Sequence, residues 1–262
     1  MNFMNSINNK AKDTLLQSIA ALLDKDPKKN LPKIIKLSKL LASDKSSTDL
    51  INNFELSYND IPEFKTYVDD FLLTTDYRIL KNFIVNILGT NLNYHGKNSN
   101  SISKPHSLII NVKFDKKHDK LLSYNELDQI ISDSKKIGVF TFIISGYEPS
   151  TFNKLYDIYE KYEDCLFIPV TKENNINEIS CMKILKCRNV IPLLQYKNIN
   201  TDILRKNGIP SFDKSFLQNL LKKLKLDRNL SNIQTFSLEF NDLSQKKLIP
   251  YSLLDLLKTN IL

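Results

Sequence analysis

Along the first ninety residues, apolar positions recur at three- and four-residue intervals and are punctuated by capping residues, a pattern that predicts helices. Asp13 precedes TLLQSIAALLDK, Asp26-Pro27 precedes a run through IIKLSKLLAS, Ser47-Thr48-Asp49 precedes LINNFEL, and Ile61-Pro62 precedes EFKTYVDDFLLT. A fifth helical run, DYRILKNFIVNILGTNL, reaches Gly89 and an Asn-rich turn. These residues, 1–90, are expected to form an all-α segment of about five helices. NLNYHGKNSNSISKP is dense in turn residues and sets a linker over 91–106.

From Ser107 the period changes, and short β-branched runs alternate with helical ones. SLIINVKF (107–114) and VFTFIIS (139–145) read as strands, as do CLFIPVT, NVIPLLQY and IQTFSLEF (233–240). Between them lie helical patterns, the first with Ser123 as N-cap, Glu126 completing a capping box and Gly138 closing the helix; the others are STFNKLYDIYEKYED, NINEISCMKILK and KSFLQNLLKKLKLDR (214–228). YSLLDLLKTNIL reads as a final helix. Five strands alternating with helices imply parallel pairing through right-handed crossovers over 107–262. An open doubly wound sheet and part of a barrel both fit that alternation. In either, ligands belong at the carboxyl ends of the strands.

Composition narrows the chemistry. The formal charge of +8 is spread along the chain, and its most basic stretch, 214–228, has the apolar face and lysine flanks of a solvated amphipathic helix, so nucleic acid is disfavoured. No apolar run approaches the ~20 residues that cross a bilayer, and the opening MNFMNSINNKAKDTLL is too polar for a signal-peptide core, which together point to a cytoplasmic protein. Cys165, Cys181 and Cys187 match no disulfide framework or metal-binding spacing and read as free structural thiols. His95, His106 and His118 could meet Asp115 or Asp119 at a metal, but nothing fixes their spacing, and scattered surface histidines are the plainer reading. No dinucleotide fingerprint, P-loop or nucleophile elbow is present. Tyr156, Tyr159 and Tyr162 share a helix with Leu155 and Ile158, which reads as core packing with partly exposed phenols.

The turn after the second strand, Ser145-Gly146-Tyr147-Glu148-Pro149, admits two readings. Gly146 permits a tight turn, Pro149 opens a helix and Glu148 favours its N-terminus, which makes a plain connection. The order strand, Ser-Gly-x-Glu-Pro, helix, strand, Thr-x-x, helix, Asn-Val strand also resembles the radical S-adenosylmethionine (SAM) family, in the subset with an N-terminal helical extension. The resemblance implies a partial (β/α) TIM-like barrel of about five βα units after the all-α segment. It makes Gly146, Tyr147 and Glu148 the counterpart of the turn that receives the methionine amino group.

The departures from that family are as specific as the likeness. Its first strand leads into Cys-x-x-x-Cys-x-x-Cys, the ligands of a [4Fe–4S] cluster, whereas NVKFDKKHDKLLSYNE has no cysteine. The second glycine of the turn is Tyr147, which blocks close approach of backbone to a ligand or replaces the ligand with its own ring. Thr171-Lys172-Glu173 and Leu194-Gln195-Tyr196-Lys197 replace further ligand-binding segments, and no sixth strand is expected. The resemblance then implies a catalytically silent protein with cluster and SAM lost and no catalytic or metal residues. It would act as a binding or scaffold partner, as a homodimer or with an intact radical SAM enzyme or its peptide substrate. The alternatives are a non-radical enzyme or a small-ligand binder using an altered pocket at the strand ends, and a decaying remnant without activity.

Overall fold

The computed structural model describes residues 2–42, 45–85, 88, 107–111, 123–136, 139–145, 154–171, 176–194, 201–213, 234–242 and 245–252. The chain divides into two compact units, Met1–Ser101 and Ile102–Leu262.

The first unit holds α1 (Asn2–Lys25), α2 (Pro27–Leu41), α3 (Lys45–Asp60), α4 (Pro62–Thr74) and α5 (Tyr77–Val85). Proline opens both α2 and α4, where its missing N–H and fixed φ cost nothing. Asp26 caps α2 by accepting from the Lys29 N–H at 2.9 Å, and Asp76 accepts from the Arg78 N–H at the start of α5. Two helices begin earlier than their caps predict. α1 runs through Asp13, and the hydroxyls of Thr14 and Ser18 are accommodated inside it by donating to carbonyls one turn back. α3 starts at Lys45, ahead of Ser47-Thr48-Asp49. Ile19, Leu23, Leu41, Ile79 and Leu80 form the driest part of the unit's core.

The second unit alternates strands and helices: β1 (Ser107–Asn111), α6 (Tyr124–Lys136), β2 (Thr141–Ser145), α7 (Lys154–Lys161), β3 (Leu166–Thr171), α8 (Glu178–Cys187), β4 (Leu193–Leu194), α9 (Thr201–Lys206), β5 (Phe212–Asp213), β6 (Gln234–Asp242) and β7 (Gln245–Ser252). The sheet order is β5-β4-β3-β2-β1-β6-β7. Every neighbouring pair is parallel except β6–β7, which is an antiparallel hairpin.

Three expectations change here. Seven strands replace five, because β5 has two residues, too few to show a period, and β7 occupies 245–252, where a helix was expected to begin at Tyr251. The local spacing of YSLLDLLKTNIL favours helix, but long-range pairing with β6 sets the conformation as far as Ser252; residues 253–262 lie outside the described residues. The strand expected as the fifth is therefore β6, a sixth parallel strand. It lies beside β1, and among the described residues no pair joins β5 to β6, so the unit is an α/β structure on a largely parallel sheet.

The core explains the alternation. Phe142 of β2 stacks on Phe167 of β3 at 5.6 Å, and Tyr159 of α7 tilts onto Phe167 at 4.7 Å, which places α7 on that face. All five residues of β2 are buried, as expected for an interior parallel strand covered on both faces. Tyr156, Tyr159 and Tyr162 are buried, more fully than the sequence implies.

Caps hold the helices in place. Ser123 and Glu126 form the predicted capping box: the Ser123 N–H donates to Glu126 Oε2 at 2.7 Å, and the Glu126 N–H donates to Ser123 Oγ at 3.3 Å. Asn177 caps α8, which ends at Arg188 in the left-handed region (φ 63°). Buried Asn189 donates to the carbonyls of Tyr159 and Tyr162, closing the end of α7.

Candidate functional site

Because β1 to β6 are parallel, their carboxyl ends lie along one edge of the sheet. The sequence marks that edge. Apolar strands end in polar residues at Asn111, Ser145, Thr171 and Asp213, while β4 ends at Leu194. Asn111 pairs with Ser145, and Leu194 with both Thr171 and Asp213, so these residues form a rim across five strands. Polar groups at the carboxyl edge of an otherwise apolar sheet are the arrangement α/β proteins use to bind ligands.

Three rim residues are buried, Ser145, Thr171 and Leu194. Thr171 is almost inaccessible, and Ser145 is 4% exposed. Ser145 Oγ meets no hydrogen-bonding group among the described residues. A buried hydroxyl without a partner forfeits roughly 1–3 kcal/mol of hydration, so Ser145 would gain from a polar partner.

The turn Gly146, Tyr147 and Glu148, the candidate cofactor-binding site, begins one residue beyond Ser145 and lies outside the described residues. So do His95, His106 and His118, the linker and the basic run 214–228. What is described is the platform from which the turn departs: the last residue of β2, flanked by β1 and β3.

The thiols do not serve this rim. Cys165 immediately precedes β3, at its amino end, and Cys187 closes α8, the helix that returns the chain toward the entry of β4. Cys187 Sγ lies 3.8 Å from the Tyr156 carbonyl. All three cysteines are free and buried. Burial pushes Cys165 and Cys187 up to about 12, helped by the charges of Asp164 and Glu160, and burial raises Cys181 as well. Thiols in this state are poor nucleophiles and poor metal ligands. They do not fit a [4Fe–4S] cluster at the carboxyl edge, and the described residues contain no group of three or more His, Cys, Asp or Glu able to hold a metal.

Helix N-termini also face this edge, since each crossover leaves a strand and enters a helix there. The first amides of α6 and α8 are already engaged, by Ser123 with Glu126 and by Asn177, which reduces their value as anion sites. On the helix-covered face, Tyr156, Tyr159, Pro169, Thr171 and Ile184 surround a cavity of about 20 Å³, room for roughly one water. Tyr159 is fully buried, which raises its hydroxyl well above 10, and that hydroxyl has no partner among the described residues. The cavity is a packing gap beside the rim, too small for a ligand.

The sequence singles out the turn after β2, which lies outside the described residues, and does not single out the rim. The signal was present: each longer apolar run stops at a polar residue, and that coincidence becomes a site only when the register aligns the stops. No helix among the described residues is long and apolar enough to cross a membrane. No family model, curated protein or solved structure matches the chain.

Proposed function

We propose that this chain is a radical SAM-like protein without cluster chemistry that retains the carboxyl rim of its sheet as a binding site for a small ligand of the S-adenosyl type. The observation that carries the reading is the row of polar strand ends, with the hydroxyl of Ser145, which has no partner among the described residues, directly before the Gly146-Tyr147-Glu148 turn. The cysteine-free stretch after β1, with the three thiols buried elsewhere, supports binding without radical chemistry. The order of β1 to β5, each beside the next, supports the βα winding of the resemblance, while β6 beside β1 departs from a simple sequential barrel. Glu148 is the residue proposed to meet a ligand ammonium, with Tyr147 shaping the altered pocket.

A thermal-shift measurement with SAM and S-adenosylhomocysteine tests this. Stabilisation of the wild type that disappears in Glu148→Ala is the expected result, and no shift with either compound overturns the ligand. Anaerobic iron–sulfur reconstitution is expected to leave the protein without a stoichiometric cluster; a full [4Fe–4S] complement with reductive SAM cleavage overturns the silent reading.

A second reading, a scaffold for a protein partner or a second copy, is favoured by Ile179 and Met182, which lie one turn apart on α8 and are 61% and 62% exposed. Sedimentation is expected to show self-association weakened by Met182→Glu. A monomer at all concentrations, with no complex formed on adding a neighbouring radical SAM enzyme, counts against it.

A further inference from the structure

Positive charge gathers on one helix of the first unit. α2 carries five lysines and no acidic residue in its 15 residues, whereas every other described helix of ten residues or more mixes the two signs. Buried Leu31, Ile34, Ile35 and Leu41 hold one side of α2 in the core. At 3.6 residues per turn, Lys29, Lys33, Lys36 and Leu40 fall within about 60° of one another on the opposite side, along about 16 Å of the helix axis. All four are exposed, Leu40 by 64%.

Two of the five lysines serve the fold. Lys28 pairs with Asp69 of α4, and Lys39 pairs with Glu55 of α3. Lys29, Lys33 and Lys36 make no ion pair among the described residues. Like charges three and four residues apart destabilise a helix, so the stripe weakens the unit and gives nothing back to its packing. The residue after each member of the Lys39–Glu55 pair is an exposed leucine, Leu40 on α2 and Leu56, 57% exposed, on α3. A row of uncompensated cations thus ends beside two leucines that water covers.

That combination selects the partner. Nucleic acid is gripped by arginine forks and aromatic stacking platforms, and protein interfaces are enriched in Arg, Tyr and Trp and depleted in Lys. The stripe has no arginine and no aromatic residue. Lysines are hydrated point charges that suit a surface of anionic lipid headgroups, where no fixed geometry is required, and leucines beside them enter the acyl boundary. We propose that Lys29, Lys33 and Lys36, with Leu40 and Leu56 at the end of the row, dock the helical unit on an anionic bilayer surface. The apolar face of α2 stays in the core, so the helix meets the headgroups as part of the folded unit. The inference stands apart from the small-ligand reading, because it uses no residue of the α/β unit.

The test is co-sedimentation of the full chain with vesicles of phosphatidylcholine and phosphatidylserine at about two to one. Binding is expected to these vesicles and not to phosphatidylcholine alone, and it should fall steeply as salt is raised. Lys29→Gln, Lys33→Gln and Lys36→Gln together should weaken it at least about fiftyfold. Lys136→Gln, Lys154→Gln and Lys186→Gln together remove the same charge from exposed positions of the α/β unit and should change it less than about threefold. Leu40→Ser with Leu56→Ser should weaken it about fivefold. Circular dichroism of every variant should stay native, since the replaced side chains are exposed. No binding to the mixed vesicles, equal loss in the two lysine variants, or binding indifferent to the leucines overturns the proposal. Duplex DNA bound in preference to the vesicles, and lost with Lys29, Lys33 and Lys36, also overturns it and assigns the stripe to nucleic acid.

Discussion

Asp69 in the helical unit and Asp128 in the α/β unit keep the same company. Each accepts a hydrogen bond from a tyrosine, Tyr58 at 2.6 Å and Tyr162 at 2.8 Å, and pairs with a lysine that also lies over that tyrosine ring, Lys65 as an ion pair at 3.6 Å and Lys161 by a hydrogen bond at 2.7 Å. Burial pushes both carboxyls up, but the hydrogen bonds and lysine charges outweigh it and hold both below the usual range. The difference is in what they join. Asp69 on α4 gathers Lys28 of α2, Tyr58 of α3 and Lys65 of its own helix, so one carboxylate fixes three helices. Asp128 on α6 reaches only the end of α7, where a stacked aromatic core beneath already sets the helix positions. Helices with no sheet under them depend on polar ties for their register, and helices over a sheet depend far less.

The largest effect that would break this contrast lies in the sheet. Phe167→Ala should cost about 3–5 kcal/mol in denaturant unfolding, because the lost ring leaves a cavity between Phe142 and Tyr159; a loss near that of a surface substitution would show that the stacked core does not organise the unit. Next comes Asp69→Asn, expected to cost about 2 kcal/mol, against about 1 kcal/mol for Asp128→Asn. Reversal of that order would sink the three-helix account. Both carboxyls have lowered folded values, so their contribution is present above the unfolded value near 4 and is lost as pH falls through the folded one. Acid titration followed by circular dichroism should therefore show the wild-type advantage over each Asn variant vanish only below about pH 4.

Smaller effects sharpen the picture locally. Ser123→Ala should cost about 1 kcal/mol by removing half of the capping box of α6, readable as a shift in the unfolding midpoint. Smallest of all is Tyr159→Phe, expected within about 0.5 kcal/mol of wild type because that hydroxyl has no partner among the described residues, whereas Tyr162→Phe should cost about 1 kcal/mol through its lost bond to Asp128.

The elements legible in the sequence are those whose causes are local. Asp26-Pro27, Ile61-Pro62 and Ser123 with Glu126 mark helix starts that the structure contains, since a cap needs only three or four neighbouring residues. The apolar runs that become β2 and β3 were equally plain. β5 and β7 were not, because two residues carry no period and β7 is set by its register with β6, a long-range property. The same limit governs the site. Asn111, Ser145 and Thr171 are far apart in the chain, and nothing in their immediate sequence announces that three strands end side by side.

The β6–β7 hairpin has a further consequence for how the protein behaves when crowded. Among the described residues β7 forms one border of the sheet, and its sequence carries Lys246, Lys247 and Pro250, the last opposite Phe236. A border strand with a residue that has no N–H to offer and with two positive charges is a poor template for another chain. The opposite border, β5, has two residues and gives little to pair with. Among the described strands neither border is a ready template for growth, which should disfavour cross-β assembly at these borders in concentrated solution.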